Sequence, residues 1–504
     1  MHIKTLHGND YYFAPTIPQI LLIHPIAVYL LSLAEQGIEL EKWINQLDEN
    51  PVEIEAGIKA AKEEFKYYYR YLLFLEKNHY FAKAKKYELS STRYDADSVK
   101  THLANTNQIV YGATHSCNLK CLYCGFGEFY TGYDSRVKKN IELKNAKTLF
   151  DYMTQLFESG LCRKLNKKVT ISFYGGEPLL NMPFIEEMVA YVKSKKVKHK
   201  DFCFSMTTNG VLLDKNLEFL VENRFHLLIS LDGDERGNSY RVFPGGSSSF
   251  KKVFANASAI KEKYPGYFEK FANFNAVLHD RNSHKELTDF FRTHFGKDPL
   301  ISEIKRIGIH PSKREEFDKL FKKMYTGLEP REIINDIKDN DRILKTPFVK
   351  RLSSFLNKHS GFVFKKYDQL HSRRENARFV LTGTCNPFER KIFMDADGKI
   401  FPCERIEQQF SLGRVDKSGV HLDFQEIADK YNEYYKKMMT KCNACYNDVT
   451  CPLCIFFLDL DMEHPICPEF QTEEKYKRHS ADSMSLLEET PRYYPRIMKY
   501  YQTE

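Results

Sequence analysis

The chain has 504 residues, which is enough for roughly two to four domains with cores of their own. Its 75 Lys and Arg residues against 67 Asp and Glu give a formal charge of +8. The sequence contains neither a basic tail nor an arginine–aromatic array for stacked bases, so composition gives no support for a nucleic-acid partner.

Cysteine usage and the N-terminus indicate the compartment. Twelve cysteines, several of them in C-x2-C pairs, favour metal sites over the disulfide frameworks of small secreted domains. The N-terminus lacks the pattern of a signal peptide. The most apolar stretch, from Ile17 to Ala34, is interrupted by Pro18, His24 and Pro25 and would be a poor membrane span. We expect a cytoplasmic protein with no membrane partner.

The first part of the chain, residues 1–100, contains no cysteine, and we predict that it forms a separate domain. Residues 11–13 predict a short strand, residues 26–33 a buried helix, and residues 64–77 a second, longer helix. This order is similar to that of the small α+β winged-helix-like element that recognises peptides at the front of many peptide-modifying enzymes. A plain structural cap is the alternative.

Cys117, Cys121 and Cys124 follow in the spacing C-x3-C-x2-C, which places three thiolates on one short loop. Soft thiolates select iron–sulfur clusters, zinc or cuprous copper. A closed structural zinc site needs four ligands, so three cysteines are better suited to a four-iron cluster with one open iron. A zinc knuckle completed by His115 is the alternative.

This loop resembles that of the radical S-adenosylmethionine (radical SAM) superfamily. The resemblance implies that the open iron binds S-adenosylmethionine and that an electron cleaves it to a 5′-deoxyadenosyl radical, which takes hydrogen from the substrate. It also implies a reductant such as flavodoxin or ferredoxin as a partner. Tyr123 would contact the adenine of the cofactor, and its alternative role is to shield the cluster from solvent.

Six short apolar segments, separated by helical stretches, predict an α/β fold with a parallel sheet. They are residues 109–113, 169–174, 202–208, 227–231, 274–278 and 304–309. The family resemblance implies a partial (βα)6 TIM-like barrel, which we assign to residues 101–311. In such barrels the chemistry gathers at the C-terminal ends of the strands.

Polar motifs follow several of these strands and match positions that bind the cofactor in the family. Gly175, Gly176 and Glu177 form a GGEP motif, in which the glycines would let a ligand approach the backbone and the carboxylate would accept from the methionyl ammonium group. Weaker matches lie at the ends of the third and fourth strands and on the loop beyond. They are Thr208, Asn209, Ser230 and Arg241.

Seven further cysteines occupy the C-terminal quarter of the chain. They are Cys385, Cys403, Cys442, Cys445, Cys451, Cys454 and Cys467. The spacing resembles the SPASM extension of radical SAM enzymes, which we assign to residues 379–504, with residues 312–378 as a helical bridging segment. Residues 393–402 predict the hairpin that begins this extension.

The SPASM resemblance implies two auxiliary clusters, so that the chain would hold three 4Fe-4S clusters. Cys442, Cys445, Cys451 and Cys467 would bind one of them. Cys385, Cys403 and Cys454 would bind the other, whose fourth ligand stays open because an eighth cysteine common in the family is missing. Two structural zinc ions are the alternative. Cys162 and Cys203 are predicted to be small buried hydrophobes.

These resemblances predict a maturase of ribosomally made peptides. A leader segment of the precursor peptide would dock on residues 1–100, and a thioether, carbon–carbon or carbon–oxygen crosslink would be installed in the core segment. One alternative is an anaerobic sulfatase-maturating enzyme, which forms formylglycine and uses a carboxylate base. Asp280, after the fifth strand, is a weak candidate for that base. A catalytically idle peptide-binding homologue is the alternative from another class.

Overall fold

The structure is a computed structural model that describes most of the chain. The described residues are 1–13, 19–54, 57–81, 93–130, 138–163, 167–302, 304, 308–321, 352–353, 355–356, 382–446, 451, 453–458, 465–468, 470–492 and 494–497. The bridging segment predicted over residues 312–378 lies largely outside this set. No helix within the described ranges combines the length and the apolar character that crossing a membrane requires.

The N-terminal part is a small α+β unit. Three antiparallel strands in the order β1-β2-β3 are followed by two helices, a short hairpin and a long helix. The strands are β1 (His2–Lys4), β2 (Asp10–Phe13), β3 (Ile20–Ile23), β4 (Val52–Glu53) and β5 (Lys59–Ala60), and the helices are α1 (Pro25–Glu35), α2 (Leu40–Gln46) and α3 (Lys62–Lys77). The apolar faces of the three helices form one core around Leu30, Phe65 and Leu72.

This unit contains the strand and the two helices expected from the sequence, and it adds β1, β3, α2 and the β4–β5 hairpin. Helix α1 begins with Pro25, which tolerates the first helical position because no donor is needed there, and His24 accepts a hydrogen bond from the N–H of Ile26. The length of helix α3 was predictable because Phe65, Leu72 and Leu75 recur at helical spacing on its buried face.

The next helix, α4 (Ala96–Ala104), belongs with the barrel. Val99 and Leu103 are fully buried in the main core, and α4 packs on a C-terminal helix. The boundary expected at residue 100 therefore falls inside an element of the larger unit.

Six parallel strands follow in the order β11-β10-β9-β8-β7-β6, so that each strand pairs with the next one in the chain. They are β6 (Gln108–Thr114), β7 (Lys167–Gly175), β8 (Lys200–Thr208), β9 (His226–Ser230), β10 (Ala272–Val277) and β11 (Leu300–Ser302). The helices between them are α5 (Leu143–Glu158), α6 (Met182–Ser194), α7 (Leu213–Glu222), α8 (Phe250–Lys263), α9 (Pro265–Phe271) and α10 (His284–Phe295). Sequential parallel pairing with helical crossovers fits a partial TIM-like barrel.

Five of the six barrel strands lie where the sequence predicts them, but the sixth does not. The structure places β11 at Leu300–Ser302, ahead of the predicted segment 304–309. Residues 305–307 lie outside the described part of the chain, and Ile309 forms an isolated antiparallel bridge with Tyr130. Strand β11 contains only two apolar residues, which follow Pro299. So short a run carries little periodicity, which is why the sequence did not predict this strand.

The C-terminal part extends this same sheet. Strand β12 (Ile392–Met394) pairs in parallel with β6, and β13 (Lys399–Phe401), β14 (Gly413–Asp416) and β15 (Gly419–His421) follow as antiparallel neighbours. The predicted hairpin over residues 393–402 is therefore present. Three more α-helices are α11 (Arg314–Leu320), α12 (Phe424–Asn443) and α13 (Glu473–Glu489).

Helix α13 links the C-terminal part to the first strands. Met484 and Leu486 share a small core with Ile3 and Phe13, and Ser485 Oγ accepts a hydrogen bond of 2.9 Å from the N–H of Leu6. The N-terminal sheet is thus held against the helix that follows the last cysteine.

Candidate active site

The three-cysteine loop follows β6, and backbone hydrogen bonds hold it against the segment of residues 240–242. The N–H of Lys120 donates to the carbonyl oxygen of Val242 at 2.7 Å, and that of Leu122 donates to Tyr240 at 3.1 Å. Cys121 packs against a cluster of aromatic side chains that includes Tyr123, Tyr240 and Phe321. The loop is therefore clamped between the barrel and residues 240–242.

The cysteine thiols are free, and their spacing can be compared with that around a single metal ion. No disulfide joins any of the twelve cysteines, all of which lie in the described ranges. Around one tetrahedral zinc ion the sulfurs would lie about 3.8 Å apart, given Zn–S bonds of about 2.3 Å. Among the described residues no three cysteine sulfurs lie within 4.8 Å of one another. In a four-iron cluster each cysteine binds a different iron, so wider spacing is expected.

His115 does not complete a zinc knuckle with the loop. Its Nε2 atom lies 3.2 Å from Oδ2 of Asp397, on the C-terminal hairpin. The alternative site that the sequence left open for His115 is therefore not formed in this structure.

The two glycines of the GGEP motif pack against the cysteine loop itself. The N–H of Gly176 donates to Thr114 O at 2.8 Å, and the N–H of Glu177 donates to Ser116 O at 2.9 Å. A Cβ atom on Gly175, whose φ is +128°, would lie 2.4 Å from Thr114 O, and one on Gly176 would lie 2.2 Å from Ser116 O. Both positions require glycine because the loop backbone occupies that space.

Glu177 is fully buried, and its carboxylate ties neighbouring strand ends together. Its Oε1 accepts from the hydroxyl of Thr208 at 2.7 Å and from the N–H of Leu179 at 3.1 Å, while Oε2 accepts from the N–H of Asn209 at 2.7 Å. Burial raises the pKa of Glu177 to about 7, although these three donors favour the charged form. The carboxylate braces β7 against β8 in this structure, and the contact with an ammonium group that the sequence predicts for it stays a prediction.

Asn209 connects this brace to the first cysteine. Its Nδ2 donates to Asn118 Oδ1 at 2.6 Å and lies 3.8 Å from Cys117 Sγ. Thr208 is similarly buried and accepts from the N–H of Gly210. The structure thus brings Thr208, Asn209 and Glu177 close to the cysteine loop, as the sequence predicts. The contacts that hold them there are hydrogen bonds among these residues themselves.

A buried ionic network borders the loop on its other side, and its centre, Asp232, is absent from the sequence-based site. The two nitrogens Nε and Nη2 of Arg241 donate to the two carboxylate oxygens of Asp232 at 3.0 and 3.2 Å. Tyr123 also donates its hydroxyl to Asp232. Burial raises the pKa of Cys121 to about 12, and the Arg241 guanidinium opposes that rise. The sequence feature that could have indicated this pair is an aspartate two residues after a strand, followed nine residues later by an arginine.

The two remaining candidates lie at the ends of β9 and β10. Ser230 is the last residue of β9 and is largely buried. Asp280 follows β10, is 34% exposed, and accepts a hydrogen bond of 2.9 Å from the hydroxyl of Tyr240. The carbonyl oxygen of Tyr240 also accepts a hydrogen bond from the cysteine loop, so Tyr240 connects Asp280 to that loop.

Electrostatic interactions connect several of the C-terminal cysteines. Cys442 lies in the last turn of helix α12, and Cys445 follows two residues after the helix ends. Burial raises the pKa of Cys451 to about 11, and the thiols of Cys467 and Cys445 add to that rise. Cys385 and Cys454 both interact electrostatically with the buried Tyr431. The division of the seven cysteines between two auxiliary clusters, which the SPASM resemblance implies, stays a prediction.

Cys403 belongs to neither contact pair but lies near the first loop. Burial raises the pKa of Tyr174, at the end of β7, to about 12, and both Cys124 and Cys403 contribute to that rise. Oε2 of Glu404 lies 3.6 Å from Cys403 Sγ. Of the remaining two cysteines, Cys162 is buried as predicted, whereas Cys203 on β8 is only partly buried.

Residues 111–293 match the radical SAM superfamily. Among curated proteins, the chain is 23% identical over 361 residues to a cysteine-type anaerobic sulfatase-maturating enzyme of Clostridium novyi, covering 68% of this chain and 86% of that protein. It is 26% identical over 214 residues to the radical SAM cyclopropyl synthase TigE of Paramaledivibacter caminithermalis, covering 41% of this chain and 42% of that protein.

Solved structures of the same kind are also similar. The structure of anSMEcpe with bound AdoMet and the Cp18Cys peptide is 18% identical, with a TM-score of 0.49, covering 79% of this chain and 99% of that chain. Streptococcus suis SuiB bound to S-adenosylmethionine is 14% identical, with a TM-score of 0.36, covering 82% of each chain.

The packing of Gly176 predicts that a single methyl group disrupts the site. Gly176→Ala should displace the cysteine loop, lower the free energy of unfolding by about 1–3 kcal/mol and reduce iron loading. Gly160→Ala is the matched control, because nothing lies within 4 Å of a Cβ atom there. Thermal unfolding and iron analysis of both variants test this, and a Gly176→Ala protein with normal stability and iron would contradict the packing.

The burial of Glu177 predicts a pH dependence. Its folded-state pKa of about 7 exceeds the ordinary 4.5, so its contribution to stability is full below pH 4.5 and is lost as the pH rises through about 7. Ionisation there costs up to roughly 3 kcal/mol. Glu177→Ala should therefore destabilise the protein more at about pH 6 than at about pH 8.

Thermal unfolding of the Glu177→Ala protein at the two pH values measures this difference. Glu186→Ala is the matched control, since Glu186 is an exposed residue of α6. Equal destabilisation by Glu177→Ala at both pH values would show that the buried carboxylate does not titrate in this range.

Proposed function

Because the chain carries a radical SAM domain, we propose that it is a radical SAM maturase that crosslinks a ribosomally made precursor peptide. The observation that carries the proposal is the combination of two features in one chain. One is the three-cysteine loop clamped at the C-terminal ends of the barrel strands, and the other is an N-terminal sheet with an unpaired edge beside a helix.

The first feature accounts for radical initiation. Cys117, Cys121 and Cys124 would hold the first cluster, which supplies the electron that cleaves S-adenosylmethionine. The guanidinium of Arg241 places a positive charge beside Cys121, and the carboxylate of Asp232 balances that charge, so the net charge of the buried pair is near zero. Two nitrogens of Arg241 already bind Asp232, so its Nη1 is the nitrogen suited to a cofactor carboxylate.

Glu177 then acts on the cofactor through other residues. Its carboxylate fixes Thr208 and Asn209, and Asn209 in turn contacts the cysteine loop. With Tyr123, Ser230 and the backbone of the glycine pair, these residues would form the walls of the cofactor pocket.

The C-terminal cysteines would hold two auxiliary clusters. Closing a crosslink after hydrogen abstraction would release one proton and one further electron from the peptide, and an auxiliary cluster, when bound, would supply an acceptor for that electron. Tyr174 lies within electrostatic reach of cysteines from both regions, which supports a short separation between the radical site and the cluster held by Cys385, Cys403 and Cys454.

The second feature is a surface on which a leader peptide can dock. Strand β3 pairs only with β2, so among the described strands its outer edge has no partner. Helix α3 runs beside it in the opposite direction, because His24 stacks on Tyr68 at 4.4 Å and Gln19 accepts from the hydroxyl of Tyr80 at 2.5 Å. An extended peptide could add a strand to such an edge and fill the space next to the helix.

The apolar side chains at this surface are exposed. Leu22 on β3 is 63% exposed, and Tyr67 and Phe74 on α3 are 63% and 59% exposed. Tyr67 and Phe74 are two helical turns apart and so share a face. Leu21 and Ile23 pack on the helical core, so Leu22 lies on the opposite face of β3 from α3. The exposed apolar side chains on β3 and on α3 each support a peptide partner with apolar side chains.

Sulfatase maturation is the second candidate, favoured by the match to the Clostridium novyi enzyme and by Asp280. A partly exposed carboxylate held by Tyr240, which contacts the cysteine loop, is suitably placed for a general base. Anaerobic incubation with S-adenosylmethionine, a reductant and each type of peptide distinguishes the two. A product lighter by two hydrogens with a new crosslink supports the proposal, formylglycine supports the second candidate, and absence of 5′-deoxyadenosine indicates an idle homologue.

The cluster assignment predicts iron stoichiometry. Anaerobically reconstituted protein should bind about twelve irons, and alanine at Cys117, Cys121 and Cys124 together should remove about a third of them and all 5′-deoxyadenosine formation. Alanine at Cys162 is the control, because that thiol is buried just after the end of α5 and belongs to neither cysteine motif. Unchanged iron in the triple variant, or zinc in place of iron, would contradict the assignment.

The docking surface predicts that substrate binding and cofactor cleavage can be separated. Leu22→Gln should weaken binding of a leader-bearing peptide by about tenfold or more while cofactor cleavage without peptide stays unchanged. Leu6→Gln is the matched control, because Leu6 is 62% exposed on the loop after β1. Equal affinities of the two variants, measured by fluorescence anisotropy of a labelled peptide, would place the leader elsewhere.

A further inference from the structure

Three metal-ligating side chains meet outside the cysteine sites. One nitrogen of His115 and one carboxylate oxygen each from Asp395 and Asp397 lie within 4.8 Å of one another. His115 follows β6 directly, and the two aspartates belong to the turn between β12 and β13. The parallel pairing of β6 with β12 brings the two segments together, although they are far apart in the chain.

Asp395 carries an observation that the hairpin turn does not explain. The residue is only 2% exposed, and its Oδ1 accepts from the N–H groups of Asp397 and Lys399, both at 2.9 Å. These two bonds shape the turn. The second oxygen, Oδ2, is buried and has no hydrogen-bond partner. Leaving a buried carboxylate oxygen without a donor or a cation is costly.

The charges of the cluster are also unbalanced. Asp397 contacts both His115 and the ammonium group of Lys139, which is 48% exposed at its side chain. Lys139 therefore compensates one of the two carboxylates from the solvent side. His115 and Lys139 both bind Asp397, and neither donates a hydrogen bond to Oδ2 of Asp395. A divalent cation would supply the missing charge and the missing partner.

We propose that His115, Asp395 and Asp397 bind one divalent transition-metal ion that joins the cysteine loop to the C-terminal hairpin. One imidazole and two carboxylates suit ions such as Mn²⁺, Fe²⁺ or Zn²⁺. No cysteine belongs to the group, so the site is distinct from the clusters. The ion holds the first residue after β6 against the β12–β13 turn and so fixes the C-terminal sheet relative to the barrel.

The test is a titration of the reconstituted full-length protein with Mn²⁺, whose unbound form gives a sharp electron paramagnetic resonance signal at room temperature. We expect about one ion per chain in the unmodified protein. Asp395→Asn should weaken binding by about tenfold or more, since the amide keeps Oδ1 for the turn but replaces Oδ2 by an NH2 group. Asp416→Asn is the matched control, because that aspartate pairs with His421 on the neighbouring hairpin at 2.9 Å and is 37% exposed.

A second variant keeps the test decisive if Asp395→Asn folds poorly. Lys139→Met removes the ammonium group that competes for Asp397, so it should tighten Mn²⁺ binding while iron content stays unchanged. Binding by Asp395→Asn as tight as in the unmodified protein would overturn the proposal. Absence of Mn²⁺ binding in both the unmodified protein and Lys139→Met would also overturn the proposal. It would show that His115, Asp395 and Asp397 form ion pairs alone.

Discussion

The contact between the end of β7 and the cysteine loop is the constraint on which the site depends. Two backbone hydrogen bonds, from Gly176 to Thr114 and from Glu177 to Ser116, fix the loop where three thiolates can meet one cluster. The approach is so close that only glycine fits at positions 175 and 176. Because the next residue, Glu177, braces the end of β8, the loop, the glycine pair and Asn209 form one rigid unit.

Charge inside this unit is balanced by pairing. Arg241 and Asp232 form a bidentate pair beside Cys121, and Tyr123 adds a hydrogen bond to the same carboxylate. A buried arginine without its partner would be strongly destabilising, so the pair sets the position of the positive charge that faces the loop. The protein thereby prepares a polar environment for a charged cofactor before the cofactor binds.

Much of the fold could be predicted because its signals are local. Five barrel strands coincide with continuous apolar runs, and the cysteine spacing identified both cysteine regions. The roles of Glu177 and Asp232 could not be predicted in the same way, because each depends on partners brought close by parallel strand pairing. Glu177 meets Thr208 and Asn209, and Asp232 meets Tyr123, only once the sheet has formed. Strand β1 was missed because a run of three residues carries little periodicity. Strand β3 was missed because its residues belong to the longer apolar stretch from Ile17 to Ala34, in which composition alone does not separate a strand from a helix.

The central claim is that the loop of Cys117, Cys121 and Cys124 holds a cluster whose open iron binds S-adenosylmethionine. Electron–nuclear double resonance of the reduced protein tests it most directly, with the cofactor isotopically labelled at its amino nitrogen and its carboxylate. Direct ligation predicts strong hyperfine coupling from both labels to the cluster, lost when the three cysteines are replaced by alanine. A reduced cluster that shows no coupling to either label, in protein that binds the cofactor, would contradict the account.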